Sequence, residues 1–116
     1  YVAISALNYD NYLKNIVRGY KENMNLLYKN LPKIGFKPVI KPKGSFYLYA
    51  DISKISKNSV QLCKKLLNEH GIALSPGVDF DQIEGKKYIR FCYSYPKKDI
   101  IEAIKKLNSI FYRKNT

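Results

Sequence analysis

The sequence has no tryptophan, and it has only one histidine and one methionine, His70 and Met24. Its two cysteines, Cys63 and Cys92, are too few for a disulfide scaffold and fit a reducing compartment, so a cytoplasmic protein is expected. One histidine and two distant cysteines make no metal site of recognisable spacing. No apolar run approaches the roughly 18 residues that a membrane span needs. No charged segment followed by an apolar one marks a signal peptide. Arginine is scarce as well: Arg18, Arg90 and Arg113 are the only three, against 18 lysines.

Acidic residues number 9 against 21 basic ones, which gives a net charge of +12. Such a balance has two readings. One is a basic module that binds nucleic acid or another anionic partner, with the 11 tyrosines as stacking platforms. The other is an ordinary surface written in lysine. The second is favoured, because the lysines are scattered singly or in pairs with no block of five. A reader of bases or phosphates also draws more often on arginine's planar fork.

What remains is ordinary globular material, with 46% hydrophobic and 26% charged residues in 116. That length predicts a single domain over 1–116, with enough interior to fold without staples. The first residue is Tyr1 rather than methionine, which raises the expectation of a piece of something longer.

Apolar residues recur at helical spacing from about Asn8 to Leu31: Leu13, Ile16, Val17, Tyr20, Met24, Leu27, Tyr28 and Leu31. Asn8 is the expected N-cap, Asp10 suits the first turn, and Pro32 is expected to end the pattern. About 24 residues make ~36 Å of helix, long for so small a domain, so part of it should pack on something outside the chain. A short extended stretch is expected at Val39 and Ile40. Ser45 to Asp51 then reads as a strand, with Phe46, Leu48 and Ala50 on one face and Tyr47, Tyr49 and Asp51 on the other. Ser56 or Ser59 should cap a helix ending at His70, with Gly71 as its C′ glycine. Short strands follow at Ile72 to Ser75 and Tyr88 to Ser94. Pro96 opens a last helix through Phe111, with Asp99 near its start and Arg113 and Lys114 near its end. The order α-β-β-α-β-β-α without strict alternation predicts an α+β fold, a small, mostly antiparallel sheet with helices packed on one face.

The strand from Tyr88 to Ser94 carries the most chemical information. Ile89, Phe91 and Tyr93 share a face that should meet the helices; Tyr88, Arg90, Cys92 and Ser94 share the other. An arginine inside such a strand is costly unless it is paired or lines a cleft. It either makes a structural salt bridge, lies on a solvated face, or uses its fork to grip a ligand carboxylate. Elsewhere the residues hold no complete site. His70 suits helix-end capping, and Cys63 falls in a helix stripe and reads as core. Asp79, Asp81 and Glu84 follow no calcium-loop pattern. No catalytic, cofactor-binding or metal-ligating set is therefore assigned within this chain.

Three blocks nevertheless stand in a familiar order: Gly44-Ser-Phe-Tyr47 running into Asp51-Ile-Ser53, Gly71-Ile-Ala-Leu-Ser-Pro-Gly77 with Phe80, and Tyr88-Ile-Arg90-Phe-Cys-Tyr93. Together they resemble the C-terminal small domain of class I/II pyridoxal-phosphate-dependent aminotransferases, the aspartate aminotransferase superfamily of fold type I. The long first helix is similar to that family's interdomain helix. The resemblance implies that Arg90 binds the α-carboxylate of an amino-acid substrate and that Phe46 lines the substrate pocket. It implies a reaction that moves an amino group between an amino acid and a 2-oxo acid, with a small domain that closes over the substrate. It also implies that pyridoxal 5′-phosphate is bound by a large domain absent from this sequence. On that reading the full-length enzyme is a homodimer and the isolated chain is inactive. Asp81 stands where the family more often has glycine and Cys92 where it has serine, which leaves the donor substrate open, and a related lyase or synthase is equally compatible.

Overall fold

The computed structural model describes residues 10–111. The expected cap at Asn8 and the terminal charges at Arg113 and Lys114 lie outside the described residues. Helix α1 spans Asp10–Ile34, strand β1 Lys37–Pro38, strand β2 Tyr47–Asp51 and helix α2 Ser59–His70. Strand β3 covers Ser75–Pro76, two short 3-10 turns cover Gly77–Asp79 and Gly85–Lys87, strand β4 is Tyr88–Cys92, and helix α3 is Lys97–Phe111. The strands form one sheet in the order β1-β2-β4-β3, with every neighbouring pair antiparallel. This is the α+β architecture that the sequence order predicts.

The period-2 pattern of β2 and β4 sorts the sheet into two unlike faces. Leu48, Ala50, Ile89 and Phe91 are buried in one cluster with Leu27 and Leu31 of α1, Leu62 and Leu66 of α2, and Leu107 and Phe111 of α3. Phe36 lies at its centre, edge-to-face with Phe91 at 5.2 Å and with Phe111 at 5.6 Å, the arrangement that aromatic quadrupoles favour. The opposite face carries Tyr47, Tyr49, Asp51, Tyr88, Arg90 and Cys92, none of them fully buried.

Several local expectations shift. Pro32 does not stop α1, which runs on to Ile34. Burying Ile34 and Phe36 outweighs the backbone bond that the missing Pro32 N–H forfeits, and the Leu31 carbonyl accepts from both Gly35 and Phe36. Strand β2 starts at Tyr47 rather than Ser45, because Ser45 turns through φ 78° and breaks the extended run. The break also turns Phe46 out of the face of Leu48 and Ala50 and leaves it 49% exposed. Strand β1 forms at Lys37–Pro38, just before the expected Val39 and Ile40, and of the stretch 72–75 only Ser75 joins a strand, with Pro76. The cap of α2 is neither Ser56 nor Ser59. It is Asn58, whose Oδ1 accepts from the amides of Val60 at 3.0 Å and Gln61 at 3.3 Å. Gly71 does end α2 in the left-handed conformation, with Ile72 donating back to the Leu66 carbonyl.

Helix α1 divides along its length. Its second half is anchored by Met24, Leu27, Leu31 and Ile34, whereas Tyr12, Leu13 and Val17 in the first half stand in solvent. Asn23 marks the division. It is 2% exposed, and its Nδ2 donates to the carbonyls of Tyr93 at 2.9 Å and Tyr95 at 2.7 Å. A single helix side chain thereby fixes the chain where it leaves β4.

Candidate functional site

The open face of β4 gathers one residue from each of the three sequence blocks. Strand register sets Arg90 opposite Tyr49 of β2 and Ser75 of β3, with Tyr47 diagonal to it opposite Cys92. The Arg90 guanidinium carbon lies over the Phe80 ring at 4.6 Å from its centroid and over the Tyr47 ring at 5.2 Å. Both distances are within cation–π range. Phe46 touches this group only through Tyr47, against which it packs edge-to-face at 5.7 Å.

Arg90 is half-buried, and its Nε is fully buried with no hydrogen-bond partner. Among the described residues no carboxylate lies within ion-pair distance of it. That removes the structural salt bridge from the readings of this arginine among the described residues. Without a carboxylate partner the guanidinium keeps its charge free to attract an anion at its terminal nitrogens.

Phe80 reaches Arg90 from a loop built to be rigid. The Gly77 carbonyl accepts from the amides of Phe80 at 3.0 Å and Asp81 at 2.9 Å, and the Asp81 carbonyl accepts from Gly85 at 2.9 Å. Asp81 Oδ1 accepts in turn from the amides of Ile83 at 3.0 Å and Glu84 at 3.2 Å. Thus Asp81 organises the loop from inside. Gly77 and Gly85 lie so close together that a Cβ on Gly77 would sit 2.5 Å from the Gly85 carbonyl oxygen and 2.5 Å from the Tyr49 hydroxyl. Only glycine permits that approach. Ser59, buried at the start of α2, donates from Oγ to the same Gly85 carbonyl at 2.9 Å.

Beneath the loop Tyr49 stacks on Tyr88 at 4.9 Å. Burial first, and then the charge of Asp81 and the neighbouring Tyr88, push the Tyr49 phenol above its ordinary range. It stays neutral at physiological pH and does not repel an anion arriving at Arg90. Burial, with a smaller contribution from Asp79, pushes the Cys63 thiol up to about 11. Cys63 is thus a core residue and a poor nucleophile. Cys92 is half-buried near the site with its Sγ 3.0 Å from Ser94 Oγ. His70 lies at the end of α2 with Nε2 3.8 Å from a Glu69 carboxylate oxygen, and Lys97 lies 3.7 Å from Glu22. None of these joins Arg90. A separate cleft of about 610 Å³ lies between α1 and the 41–45 loop, lined among others by Tyr20, Lys21, Met24 and Lys43. It contains neither Arg90 nor Phe46 nor Phe80.

Sequence reasoning singled out Arg90 and Phe46 but missed Asn23 and the convergence of Tyr47 and Phe80. The available signal for Asn23 was a lone amide inside an apolar stripe between Tyr20 and Leu27. For the two rings there was only their membership of the quoted blocks.

Comparison with known proteins supplies the family. Residues 1–107 match the family described as aminotransferase class I and II. The valine–pyruvate aminotransferase of Mycobacterium tuberculosis is 38% identical over 90 residues, which are 78% of this chain and 23% of that protein. A probable aspartate aminotransferase of Methanocaldococcus jannaschii is 37% identical over 99 residues, 85% of this chain and 25% of that protein. The crystal structure of a putative aminotransferase from Silicibacter pomeroyi superposes with a TM-score of 0.89 at 35% identity, over 94% of this chain and 30% of that one. The chain therefore spans about a quarter of the length of the curated relatives it matches. Over that span the sequence match and the superposed fold agree, and the chain belongs to the class I and II aminotransferase family.

Proposed function

We propose that this chain is the C-terminal small domain of a pyridoxal-phosphate-dependent aminotransferase and that Arg90 receives the α-carboxylate of its substrates. The observation that carries the reading is the Arg90 guanidinium, held half-buried on the open face of the sheet with no carboxylate partner among the described residues. A substrate carboxylate would satisfy that fork with two parallel charge-assisted hydrogen bonds. The substrates are an amino acid and a 2-oxo acid, both of which present a carboxylate beside the reacting carbon. Gripping that carboxylate fixes where the reacting carbon sits, which is a contribution of position rather than of bond-making. Phe46, exposed at the edge of the same aromatic group, would line the substrate pocket beside Tyr47.

The family's cofactor supplies the electron sink for amino-group transfer. A lysine that forms a Schiff base with it has to be sheltered so that its amine loses its proton near neutral pH. Every lysine among the described residues is solvent-exposed. We assign the cofactor's seat to the remainder of the enzyme. Closure of the small domain over bound substrate would couple the Arg90 grip to the exclusion of water. The reading as a basic nucleic-acid module has no comparable support, since the lysines are scattered singly or in pairs along the chain. Among the described residues no helix is long and apolar enough to cross a membrane.

The test is Arg90→Ala in the full-length enzyme. It should raise the amino-acid KM and lower kcat/KM roughly 100-fold or more, as loss of a desolvated charge pair does. Arg90→Lys should recover only part of the loss, because an ammonium cannot bond in a fork. An Arg90→Ala enzyme with unchanged KM would remove the assignment.

A further inference from the structure

We infer that Phe80 and Tyr47 are positioning residues, which form a two-ring seat that holds the Arg90 guanidinium ready for a carboxylate without using any of its hydrogen-bond donors. The inference rests on the carboxylate reading of Arg90 and deepens it. An arginine side chain is rich in rotamers and loses that freedom when it is fixed. Proteins usually fix one with a carboxylate, which occupies the fork and neutralises the charge. Arg90 has no such partner among the described residues, and its Nε is orphaned. Its contacts are two ring faces instead, Phe80 at 4.6 Å and Tyr47 at 5.2 Å.

A ring face attracts a cation through its quadrupole and accepts nothing from the fork. The charge and the terminal donors therefore remain available to a ligand. The scaffold around the rings fits this role. Tyr47 is fixed as the first residue of β2, in register opposite Cys92. Phe80 is fixed by the hydrogen bond from its amide to the Gly77 carbonyl, in a loop where Gly77 and Gly85 admit no side chain. Phe80 is 56% exposed. So large an apolar ring, held by a rigid loop outside the core, is explained by the guanidinium that lies under it.

The experiment uses the full-length enzyme, with propionate as a competitive inhibitor that probes the carboxylate site alone. Phe80→Leu keeps apolar bulk and removes the quadrupole, whereas Phe80→Tyr keeps the ring. Phe80→Leu should raise both the amino-acid KM and the propionate Ki roughly 5- to 30-fold, with the loss falling on these rather than on kcat. Phe80→Tyr should stay within about threefold of the parent, and Tyr47→Phe likewise, whereas Tyr47→Leu should follow Phe80→Leu. Adding Phe80→Leu to Arg90→Ala should change the propionate Ki no further. Equal losses in the leucine and tyrosine variants at position 80 would overturn the seat, because a general disturbance of the loop does not distinguish a ring from an aliphatic chain. A raised Ki in Arg90→Ala with an unchanged Ki in Phe80→Leu would overturn the seat and leave the carboxylate reading standing. An unchanged Ki in Arg90→Ala would overturn both.

Discussion

The two faces of β4 are made by neighbouring residues and obey opposite rules. Ile89 and Phe91 are buried in one apolar cluster with residues of all three helices. Arg90 and Cys92, one residue out of step, meet tyrosines, Phe80 and solvent. On the helical face packing decides, and the apolar side chains are satisfied by one another. On the open face the Arg90 guanidinium has no carboxylate partner among the described residues, which a protein tolerates where a ligand completes the group. One strand therefore serves both as a structural wall and as a binding surface, and its period of two keeps the tasks apart.

The largest break in that comparison is Phe91→Ala. It empties the space beside Phe36 and should cost about 3–5 kcal/mol of stability in urea denaturation. Arg90→Leu, on the adjacent position, should leave stability within about 1 kcal/mol of the parent or raise it, because it removes a buried unsatisfied donor. Equal destabilisation by the two changes would mean that the faces are not distinct. Next comes Asn23→Ala, which deprives the Tyr93 and Tyr95 carbonyls of their donor. It should cost about 2–3 kcal/mol. It should also weaken substrate binding, since these bonds hold the chain just beyond Cys92; unfolding curves and KM measured on one preparation test both.

The smallest effect sharpens the comparison by pH. Hydrogen bonds from Ser53, through its side chain first and its amide at 2.7 Å, hold the Asp51 carboxyl below its ordinary range, with Lys37 and Lys87 adding to the effect. A carboxyl lowered by folding stabilises the protein at pH values above the unfolded value of about 4, and the contribution fades as pH falls through the folded value. Asp51→Asn should flatten the acid side of the stability profile below about pH 4, by less than about 1 kcal/mol. A steeper acid limb in that variant would assign the wrong sign to Asp51.

Much of the scaffold was legible in the residues. The element order, the buried faces of β2 and β4 around Leu48, Ile89 and Phe91, and the glycine stop at Gly71 all follow from periodicity and backbone preference. The misses are equally physical. Pro32 looked like a terminator because propensity is local, but the burial of Ile34 and Phe36 carries the helix past it. Among Ser56, Asn58 and Ser59 any could cap a helix; Asn58 takes the extended cap conformation and accepts from Val60 and Gln61, whereas Ser59 is already the first helical residue. Phe46 belonged to the core face only if the strand began at Ser45, and the positive φ of Ser45 ended that register.

By itself the sequence determined which faces are apolar, where helices start and stop to within a few residues, and that one arginine stands in an apolar strand. These are local properties, set by side-chain period and by the backbone freedom of single residues. Only the tertiary structure decided that Tyr47, Phe80 and Arg90 meet while no carboxylate among the described residues reaches Arg90. Residues as far apart in the chain as Tyr47 and Arg90 are brought together by strand register and by a loop that closes on Gly77 and Gly85. Such contacts depend on distances through space, which no spacing along the chain encodes.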